Sequence, residues 1–312
     1  MKTIHLTGNL NVDVLLGKLG EWPQPGTETL LESYELRVGG SFGNMALALE
    51  ALNANVRYIS SVGDDNFGHW LEEQLGAAGE QLHSVPGSTA LTVGITHLDN
   101  QRTFFTHEGH FAQLPVTAIR DSLAQASPGD IFFMGGYFLL PTLREAAGEL
   151  LSLARERGVR TGLDTGWPTE GWTEEVKAEV TALLPLLDYF IPNEEETVEL
   201  LGKPATGLRE LLELLREFDR WEDLTVIAKL GEYGAALRRA GKTVHLPGSS
   251  VDVVDTVGAG DSFDSGFLTA LQRGLSVEEA VGIGNRVAAI AVSSNPRRYP
   301  GWAEVATSLN VT

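Results

Sequence analysis

The sequence of 312 residues contains no cysteine. This absence excludes disulfides, thiolate-bound metals and cysteine nucleophiles. Long hydrophobic runs are absent as well. The longest run, at 131–141, contains two glycines and is too short to span a bilayer, which takes about 20 residues. Because no targeting segment is visible near the amino terminus either, we expect a soluble, cytoplasmic protein.

Basic residues are scarce in this chain. Lys and Arg number 23 against 42 Asp and Glu, which gives a formal net charge of −19. General nucleic-acid binding requires clustered cations, so this balance argues against it. A nucleotide ligand is still compatible with the charge, because surface charges more than roughly 8 Å apart are screened at physiological salt. We expect a small-molecule partner, with no nucleic acid and no membrane.

The composition is that of an ordinary globular protein, with 43% hydrophobic and 21% charged residues. Short runs rich in β-branched and aromatic residues alternate with stretches of helical period, such as Phe42, Met45, Ala46 and Leu49. The predicted strands of this alternation are 3–6, 56–62, 131–134, 160–163, 189–191 and 224–230. The alternation predicts a single α/β domain over 1–312, with parallel strands between two helical layers.

Two segments depart from the alternation, residues 10–38 and residues 88–111. Within the second, strands at 91–98 and 103–106 surround a turn at Asp99-Asn100-Gln101-Arg102. We expect both segments to be antiparallel additions to the main sheet. Together they form either a small β lid or two ordinary surface hairpins, and the pattern does not decide between these interpretations.

The most informative stretch is 254–263, in which Gly258, Ala259, Gly260 and Asp261 connect a predicted strand to a strongly periodic helix. Glycine lets backbone N–H groups converge, and the first turn of a helix adds unpaired N–H donors and partial positive charge. The stretch therefore predicts an anion site suited to phosphate. A tight turn in which the aspartate caps the helix is the alternative.

Two other phosphate-binding motifs are excluded by spacing. A dinucleotide fingerprint needs a third glycine where this loop has Phe263. A Walker A loop ending at Gly241-Lys242-Thr243 needs its first glycine where the chain has Ala236. The first mismatch disfavours a nicotinamide-dependent oxidoreductase.

Four motifs follow one another along the chain. They are Gly39-Gly40 with Asn44 and the later Gly63-to-Gly68 segment, Asn193 with Glu196, Leu230-Gly231 with Gly234, and Asp255 to Phe263. With these motifs in this order, the sequence resembles the ribokinase-like (PfkB) family of sugar and nucleoside kinases. The resemblance implies an α/β three-layer sandwich with a central, mainly parallel sheet and a small β lid over the sugar site.

The resemblance also implies roles for individual residues. Asp261 would be the catalytic base for a substrate hydroxyl, and the amides of Gly258, Ala259, Gly260 and Asp261 would form an anion hole. Because Asp261 lies at a helix start, we expect it to have a low pKa. The implied substrate-binding residues are Asn11, Asp13, Gly39, Gly40 and Asn44. The implied nucleotide-binding residues are Lys229, Gly231, Gly234 and Asn285.

Three of the implied roles involve positive charge, either on a bound metal ion or on a lysine side chain. Asn193 and Glu196 match the family's Mg²⁺-organising pair, with contact through water, although an acidic helix start is the alternative. Lys229 is nearly as compatible with an ordinary solvated charge. Asp255 matches a ligand position for a monovalent cation in the family. The partner segment at 293–298 lacks the glycine-containing loop of potassium-dependent members, so activation by K⁺ is in doubt.

Two departures from the family pattern concern specificity. Gly135-Gly136-Tyr137 stands where ribose-specific relatives carry an acid, so strict ribose specificity is less expected. No basic cluster that would bind a carboxylate or a sugar phosphate is evident in the lid, although Arg37 and Arg102 could serve.

From these observations we expect a kinase that uses ATP and Mg²⁺ to phosphorylate a hydroxymethyl group of a sugar such as a ketohexose. A nucleoside kinase of the same fold and a catalytically weak sugar-binding regulatory protein are the alternatives. A homodimer formed through the lid is a further expectation.

Overall fold

A computed structural model describes residues 1–98 and 102–307 of the chain. In this part the strands are β1 (Ile4–Gly8), β2 (Asn11–Leu19), β3 (Tyr34–Gly39), β4 (Val56–Ile59), β5 (Ser61–Gly63), β6 (His83–Val85), β7 (Leu91–His97), β8 (Arg102–His107), β9 (Ile131–Gly135), β10 (Arg160–Leu163), β11 (Tyr189–Phe190), β12 (Thr225–Lys229), β13 (Ala235–Arg239) and β14 (Lys242–Leu246). The α-helices are α1 (Gly40–Ala51), α2 (Asn66–Leu75), α3 (Val116–Ala124), α4 (Pro141–Glu156), α5 (Glu174–Leu183), α6 (Glu194–Leu201), α7 (Gly207–Leu214), α8 (Ala259–Gln272), α9 (Val277–Val292) and α10 (Trp302–Ala306). Within these residues, no helix combines the length and the apolar character of a membrane span. Asp99, Asn100 and Gln101 of the predicted turn lie outside the described residues.

The central sheet has the strand order β14-β13-β12-β11-β10-β9-β1-β4. Neighbours from β12 to β4 are parallel, whereas β13 and β14 are antiparallel additions at one edge. Ile131 and Phe133 of β9 pack into one hydrophobic core, and Phe132 and Met134 pack into another. Because alternate side chains of a strand point to opposite faces, the sheet is covered on both sides. The predicted three-layer α/β fold is confirmed.

A second sheet, which we call the lid, has the order β3-β2-β7-β8. β2 pairs with β3 in antiparallel fashion and with β7 in parallel fashion. Both hydrogen-bonding edges of β2 are therefore used within the lid, so the expected addition of these segments to the main sheet is wrong. The register places Asn11 opposite Gly39 and Asp13 opposite Arg37.

The run predicted as one strand over 56–62 is divided in two. β4 ends at Ile59, and β5 starts at Ser61 and pairs with β6 instead of β1. Between them, the Ser60 hydroxyl donates to the Gly8 carbonyl at 2.9 Å. Strand-forming residues continue on both sides of Ser60, so the sequence does not indicate that the chain changes its partner strand there.

Helices α8 and α9 lie against each other through glycine. A Cβ added at Gly284 of α9 would lie 2.8 Å from ring carbons of Phe263, and one at Gly266 of α8 would lie 2.8 Å from Val287 Cγ2. The close approach therefore requires glycine at both positions. It determines where α8, which carries Asp261 in its first turn, lies relative to the sheet.

Exchange of Gly284 for alanine tests this packing. We expect Gly284→Ala to lower the free energy of unfolding by about 1–3 kcal/mol, because the added methyl group overpacks the contact with Phe263. Gly148→Ala is the matched control, since a Cβ at this position within α4 meets nothing within 4 Å. The control is expected to raise stability by up to about 1 kcal/mol through helix propensity. Denaturant unfolding measures both changes, and equal effects of the two substitutions would contradict the packing argument.

Candidate active site

Asp261 faces the start of α1. Ser41 Oγ donates to Asp261 Oδ1 at 2.7 Å, and Asn44 Nδ2 donates to Oδ2 at 2.9 Å. The Ser41 backbone N–H in turn donates to Asn9 Oδ1 at 3.1 Å. The carboxylate is thus held by hydrogen bonds between the start of α8, the start of α1 and the segment that follows β1.

The pKa of Asp261 is raised to about 6, so the expectation of a low pKa is wrong. Burial is the largest cause, and the negative charge of Asp164 adds to it. The hydrogen bonds from Ser41 and Asn44 oppose the rise, because they stabilise the ionised form. Burial and a like charge therefore outweigh the favourable position at a helix start, although the ionised form still predominates at pH 7.

The loop before α8 presents unpaired backbone donors. Gly258 has a φ of 69°, in the left-handed region that favours glycine. The Ala259 N–H donates to Thr256 O at 3.2 Å, so its predicted place in the anion hole is wrong. The N–H groups of Gly260 and Asp261 have no acceptor in the described part of the chain. Donors of this kind, at the positive end of a helix, suit a phosphate-type anion.

Lys229 lies beside this loop in a buried group of charges. Its Nζ is 2.6 Å from Asp164 Oδ2 and 3.5 Å from Asp264 Oδ2, and a Cβ on Gly260 would be 3.1 Å from it. Burial alone would lower the pKa of Lys229, but the charge of Asp164 raises it above the usual range. Lys229 is therefore a fixed cation next to the loop, and the interpretation as a solvated charge is wrong.

A cavity of about 410 Å³ opens next to this cation. It is lined by Lys229, Gly231, Gly234, Gly260 and Asn285 together with the apolar side chains of Val251, Val253, Ala288, Ala289 and Val292. The four residues predicted for the nucleotide are thus brought together with the glycine loop. At Gly234, φ is 87° and an added Cβ would lie 2.3 Å from Gly248 N, so this position requires glycine.

Among the residues predicted for the sugar, Asn11, Asp13 and Gly39 lie in the lid, whereas Gly40 and Asn44 belong to the start of α1. Asn11 Nδ2 donates to Asp13 Oδ1 at 2.6 Å. An added Cβ at Gly39 would lie 2.3 Å from Asp13 Cγ, and one at Gly40, where φ is 79°, would lie 2.3 Å from Asn9 O. Glycine at 39 therefore lets the backbone pass close to the Asp13 side chain, and glycine at 40 lets it pass close to the backbone of Asn9. Burial raises the pKa of Asp13 to about 6.

Asn193 and Glu196 form a capping box at the start of α6. The Asn193 N–H and Nδ2 donate to the two Glu196 carboxylate oxygens at 2.8 and 2.9 Å, and the Glu196 N–H donates to Asn193 Oδ1 at 2.8 Å. Burial, with the charge of Asp164, raises the pKa of Glu196 to about 7. No group of three or more metal-ligating side chains occurs in residues 1–98 and 102–307. These residues fit Mg²⁺ only as an ion that keeps its waters and binds substrate phosphates, because the carboxylate already serves the cap.

Asp255 contacts three arginines. Its Oδ1 is 2.9 Å from Arg102 Nη1, and its Oδ2 is 3.0 Å from Arg297 Nη2 and also bonds Arg37 Nη1. Burial alone would raise the pKa of this carboxyl, but Arg37, with Arg297 and Arg102, lowers it to about 2. Because both oxygens already face guanidinium groups, the residues present do not fit the monovalent cation considered for Asp255.

Sequence reasoning missed four residues of this site. They are Ser41, Asp164, Asp264 and Arg297. A signal was available for Asp164, which directly follows β10 at the carboxyl edge of the sheet, where ligands of parallel α/β sheets bind. A signal was also available for Asp264, which follows Asp261 by three residues on the same helix and so shares its face. Ser41 and Arg297 acquire their positions through packing between distant segments.

The chain matches known proteins over most of its length. The model of the pfkB family carbohydrate kinases matches residues 1–300. The ribokinase of Haemophilus influenzae is 27% identical over 296 residues, covering 94% of this chain and 92% of the relative. The 2-dehydro-3-deoxygalactonokinase of Haloferax volcanii is 27% identical, covering 83% of this chain and 82% of the relative.

A solved structure shares the fold. The structure of Arabidopsis thaliana ribokinase complexed with ribose and ATP matches this chain with a TM-score of 0.81 at 24% identity, covering 97% of both chains. The match to the family model confirms the expected enzyme class. Since that model extends over nearly the whole sequence, the protein belongs to the pfkB family of carbohydrate kinases.

Proposed function

We propose that this protein transfers the γ-phosphate of ATP to a hydroxymethyl group of a sugar. One observation carries the proposal. Asp261 directly follows Gly260, which has an unpaired amide and lines the cavity beside Lys229. On its other side, the Asp261 carboxylate bonds Ser41, which follows the Gly39-Gly40 pair packed near Asp13 and Asn9. A group transferred from a nucleotide in the cavity to an alcohol beneath the lid would pass this carboxylate and this amide.

In the proposed reaction, Asp261 accepts the proton of the substrate hydroxyl while that oxygen forms its bond to the γ-phosphorus. The bond from the γ-phosphorus to the β,γ-bridging oxygen breaks, and ADP leaves. The N–H groups of Gly260 and Asp261 hold the charge that spreads over the transferred oxygens. A pKa near 6 suits this task, because the base is ionised at neutral pH and still has affinity for a proton.

Lys229 and the metal would neutralise phosphate charge. Lys229 is held in place by Asp164 and so presents a fixed positive charge at the mouth of the cavity. Mg²⁺ would be held through its waters by Asn193 and Glu196, and it would neutralise charge on the phosphates of the nucleotide. The Arabidopsis thaliana structure with ribose and ATP supports a nucleotide and a sugar as the two ligands.

The sugar would be oriented by Asp13 and Asn11. A carboxylate that accepts hydrogen bonds from neighbouring hydroxyls gives directional recognition of a polyol. The relatives named ribokinase and 2-dehydro-3-deoxygalactonokinase support a sugar-type acceptor. The homodimer through the lid stays a prediction, supported by the exposed side chains of Trp22, Tyr34, Phe104 and Phe105.

Replacement of the base tests the mechanism. We expect Asp261→Asn to keep the fold and to lower kcat by about 10³- to 10⁴-fold, since the amide cannot accept the proton. ADP release with a panel of sugars and nucleosides measures the activity, and circular dichroism checks the fold. Asp121→Asn is the control, because Asp121 is an exposed aspartate on α3. Near-normal turnover of Asp261→Asn would remove the proposed base.

The pH dependence of kcat/KM is a separate test of whether Asp261 is the base. Asp261 must be ionised to act, so kcat/KM should fall as the pH decreases through about 6, where Asp13 also titrates. Ser41→Ala removes a hydrogen bond to the ionised form, which raises the pKa of Asp261. We expect the acid limb to move to higher pH by about half a unit to one unit.

The matched control for this shift is Ser152→Ala, which removes a hydroxyl that donates to Gly148 O at 2.8 Å within α4. Its pH profile should coincide with that of the wild-type protein. If the acid limb of the pH profile does not move in Ser41→Ala, this limb does not report the ionisation of Asp261, and the proposed base is contradicted.

Nucleotide preference is measured by protection from unfolding. ATP with Mg²⁺ at about 100 times its Kd should raise the free energy of unfolding by about 2.7 kcal/mol. NAD should give no protection, because the glycine loop lacks the dinucleotide fingerprint. Protection by NAD and not by ATP would overturn the assignment of the cavity.

A further inference from the structure

Three arginines from distant parts of the chain meet at one carboxylate. Arg37 comes from β3 and Arg102 from β8, both in the lid, and Arg297 follows α9. All three contact Asp255. We call Arg37, Arg102 and Arg297 the arginine cluster.

The cluster has fewer contacting carboxylates than guanidinium groups. Arg37 has a second carboxylate partner, Glu35, at 2.5 Å on the solvent side. Arg102 and Arg297 have Asp255 as their only carboxylate within 4 Å among residues 1–98 and 102–307. The Asp13 carboxylate is a further negative charge near the cluster, because the charges of Arg37 and Arg297 oppose the rise of its pKa. The charges are therefore nearly balanced, and the hydrogen-bond donors decide whether the cluster has room for another anion.

Four buried donors of the cluster have no hydrogen-bond partner in the described residues, namely the Nε group of each arginine and Nη2 of Arg297. Two of them, Arg37 Nε and Arg297 Nη2, still lie within ion-pair distance of Glu35 and Asp255. The other two are the Nε groups of Arg102 and Arg297. The side chain of Arg297 is only 11% exposed. A buried, unpaired charged donor is unfavourable. The unpaired donors therefore point to an acceptor that is not part of the described chain.

The position of the cluster identifies which ligand would carry the anion. Arg37 is the cross-strand partner of Asp13, and Arg297 Nη1 would lie 3.0 Å from a Cβ on Gly258. The cluster thus borders the pocket proposed for the sugar. None of its members is among the described residues that line the nucleotide cavity. Arg297 also borders the glycine loop at Gly258, so binding measured without nucleotide is needed to separate an anion of the sugar from the transferred phosphate.

We propose that the sugar substrate carries an anionic group, a carboxylate or a phosphate, which binds Arg102 and Arg297 beneath the lid. This inference rests on the proposed kinase function and narrows its substrate class to sugar acids and sugar phosphates. Planar guanidinium groups suit both anions, since each group can donate two parallel hydrogen bonds. Asp255 is the positioning residue that holds the guanidinium groups together before the substrate arrives.

Matched pairs of neutral and anionic sugars test the proposal. Wild-type protein is assayed for ADP release with glucose against gluconate, ribose against ribonate, and fructose against fructose 1-phosphate and fructose 6-phosphate. We expect kcat/KM for one anionic sugar to exceed that of its neutral partner by about 100-fold, the product of two charge-assisted contacts. Comparison of the sugar acids with the sugar phosphates shows which anion the protein recognises.

Substitutions of single arginines test which side chains bind the anionic group. Arg102→Met and Arg297→Met should each raise KM for the anionic sugar by about 10- to 100-fold with little change in kcat, and should raise KM for the neutral sugar much less. Arg298→Met is the matched control, because Arg298 neighbours Arg297 but pairs with Glu304 in an exposed position. Where a methionine variant does not fold, the lysine variant at the same position keeps the charge and loses the planar pair of donors.

Calorimetric binding without nucleotide separates this inference from the kinase function. An anionic sugar that binds wild-type and Asp261→Asn protein, but binds both methionine variants weakly, supports the anionic subsite even if no ADP is released. Equal turnover of neutral and anionic sugars, with equal losses in the variants, would overturn it and leave the kinase function standing. In that case the cluster only fastens the lid to the glycine loop. Failure of every anionic sugar to bind wild-type protein would also overturn it.

Discussion

Burial of charge at the carboxyl edge of the parallel strands is the constraint on which this site depends. Lys229 lies among the carboxyl groups of Asp164, Asp264, Glu196 and Asp261, and its charge influences each of them. Only Asp164, which Lys229 contacts most closely, has its pKa lowered. Burial raises the pKa of the other three. One cation therefore cannot compensate the whole group, and the remaining carboxyls retain affinity for protons.

The raised pKa values of these carboxyl groups lower the stability of the protein at neutral pH but favour proton transfer. Because the folded state binds protons at Asp261 and Glu196 more tightly than the unfolded chain does, their ionisation lowers stability as the pH rises from about 4 towards 7. The large cores on both faces of the sheet, and the close packing of α8 on α9, can tolerate that loss. In return, a carboxylate with a pKa near 6 is a better proton acceptor than an exposed aspartate.

Much of this architecture could be predicted from the sequence because its signals are local. The strand at Arg160–Leu163 has the predicted bounds, and the loop from Gly258 to Asp261 begins a helix as its glycines and periodicity indicate. The residues predicted for the nucleotide line one cavity. By contrast, the edges that β2 uses are determined by β3 and β7, and the pKa of Asp261 is determined by burial and by Asp164. Neither the strand pairing of β2 nor the burial of Asp261 can be recognised from residues that are adjacent in the sequence.

The arginine cluster shows this limit most clearly. Arg37 and Asp255 are separated by 218 positions, and no spacing rule connects them. In the sequence, Asp255 matches a cation ligand, and in the folded chain it faces three cations that the chain itself supplies. Because Asp255 lies three residues before Gly258, its ion pairs join the lid strands to the start of the glycine loop. An anion bound to Arg102 and Arg297 would therefore draw together the lid, which covers the acceptor, and the loop that presents the amide donors. Binding energy from a group remote from the reacting hydroxyl would then help to align the reactants, which is how such energy lowers a reaction barrier.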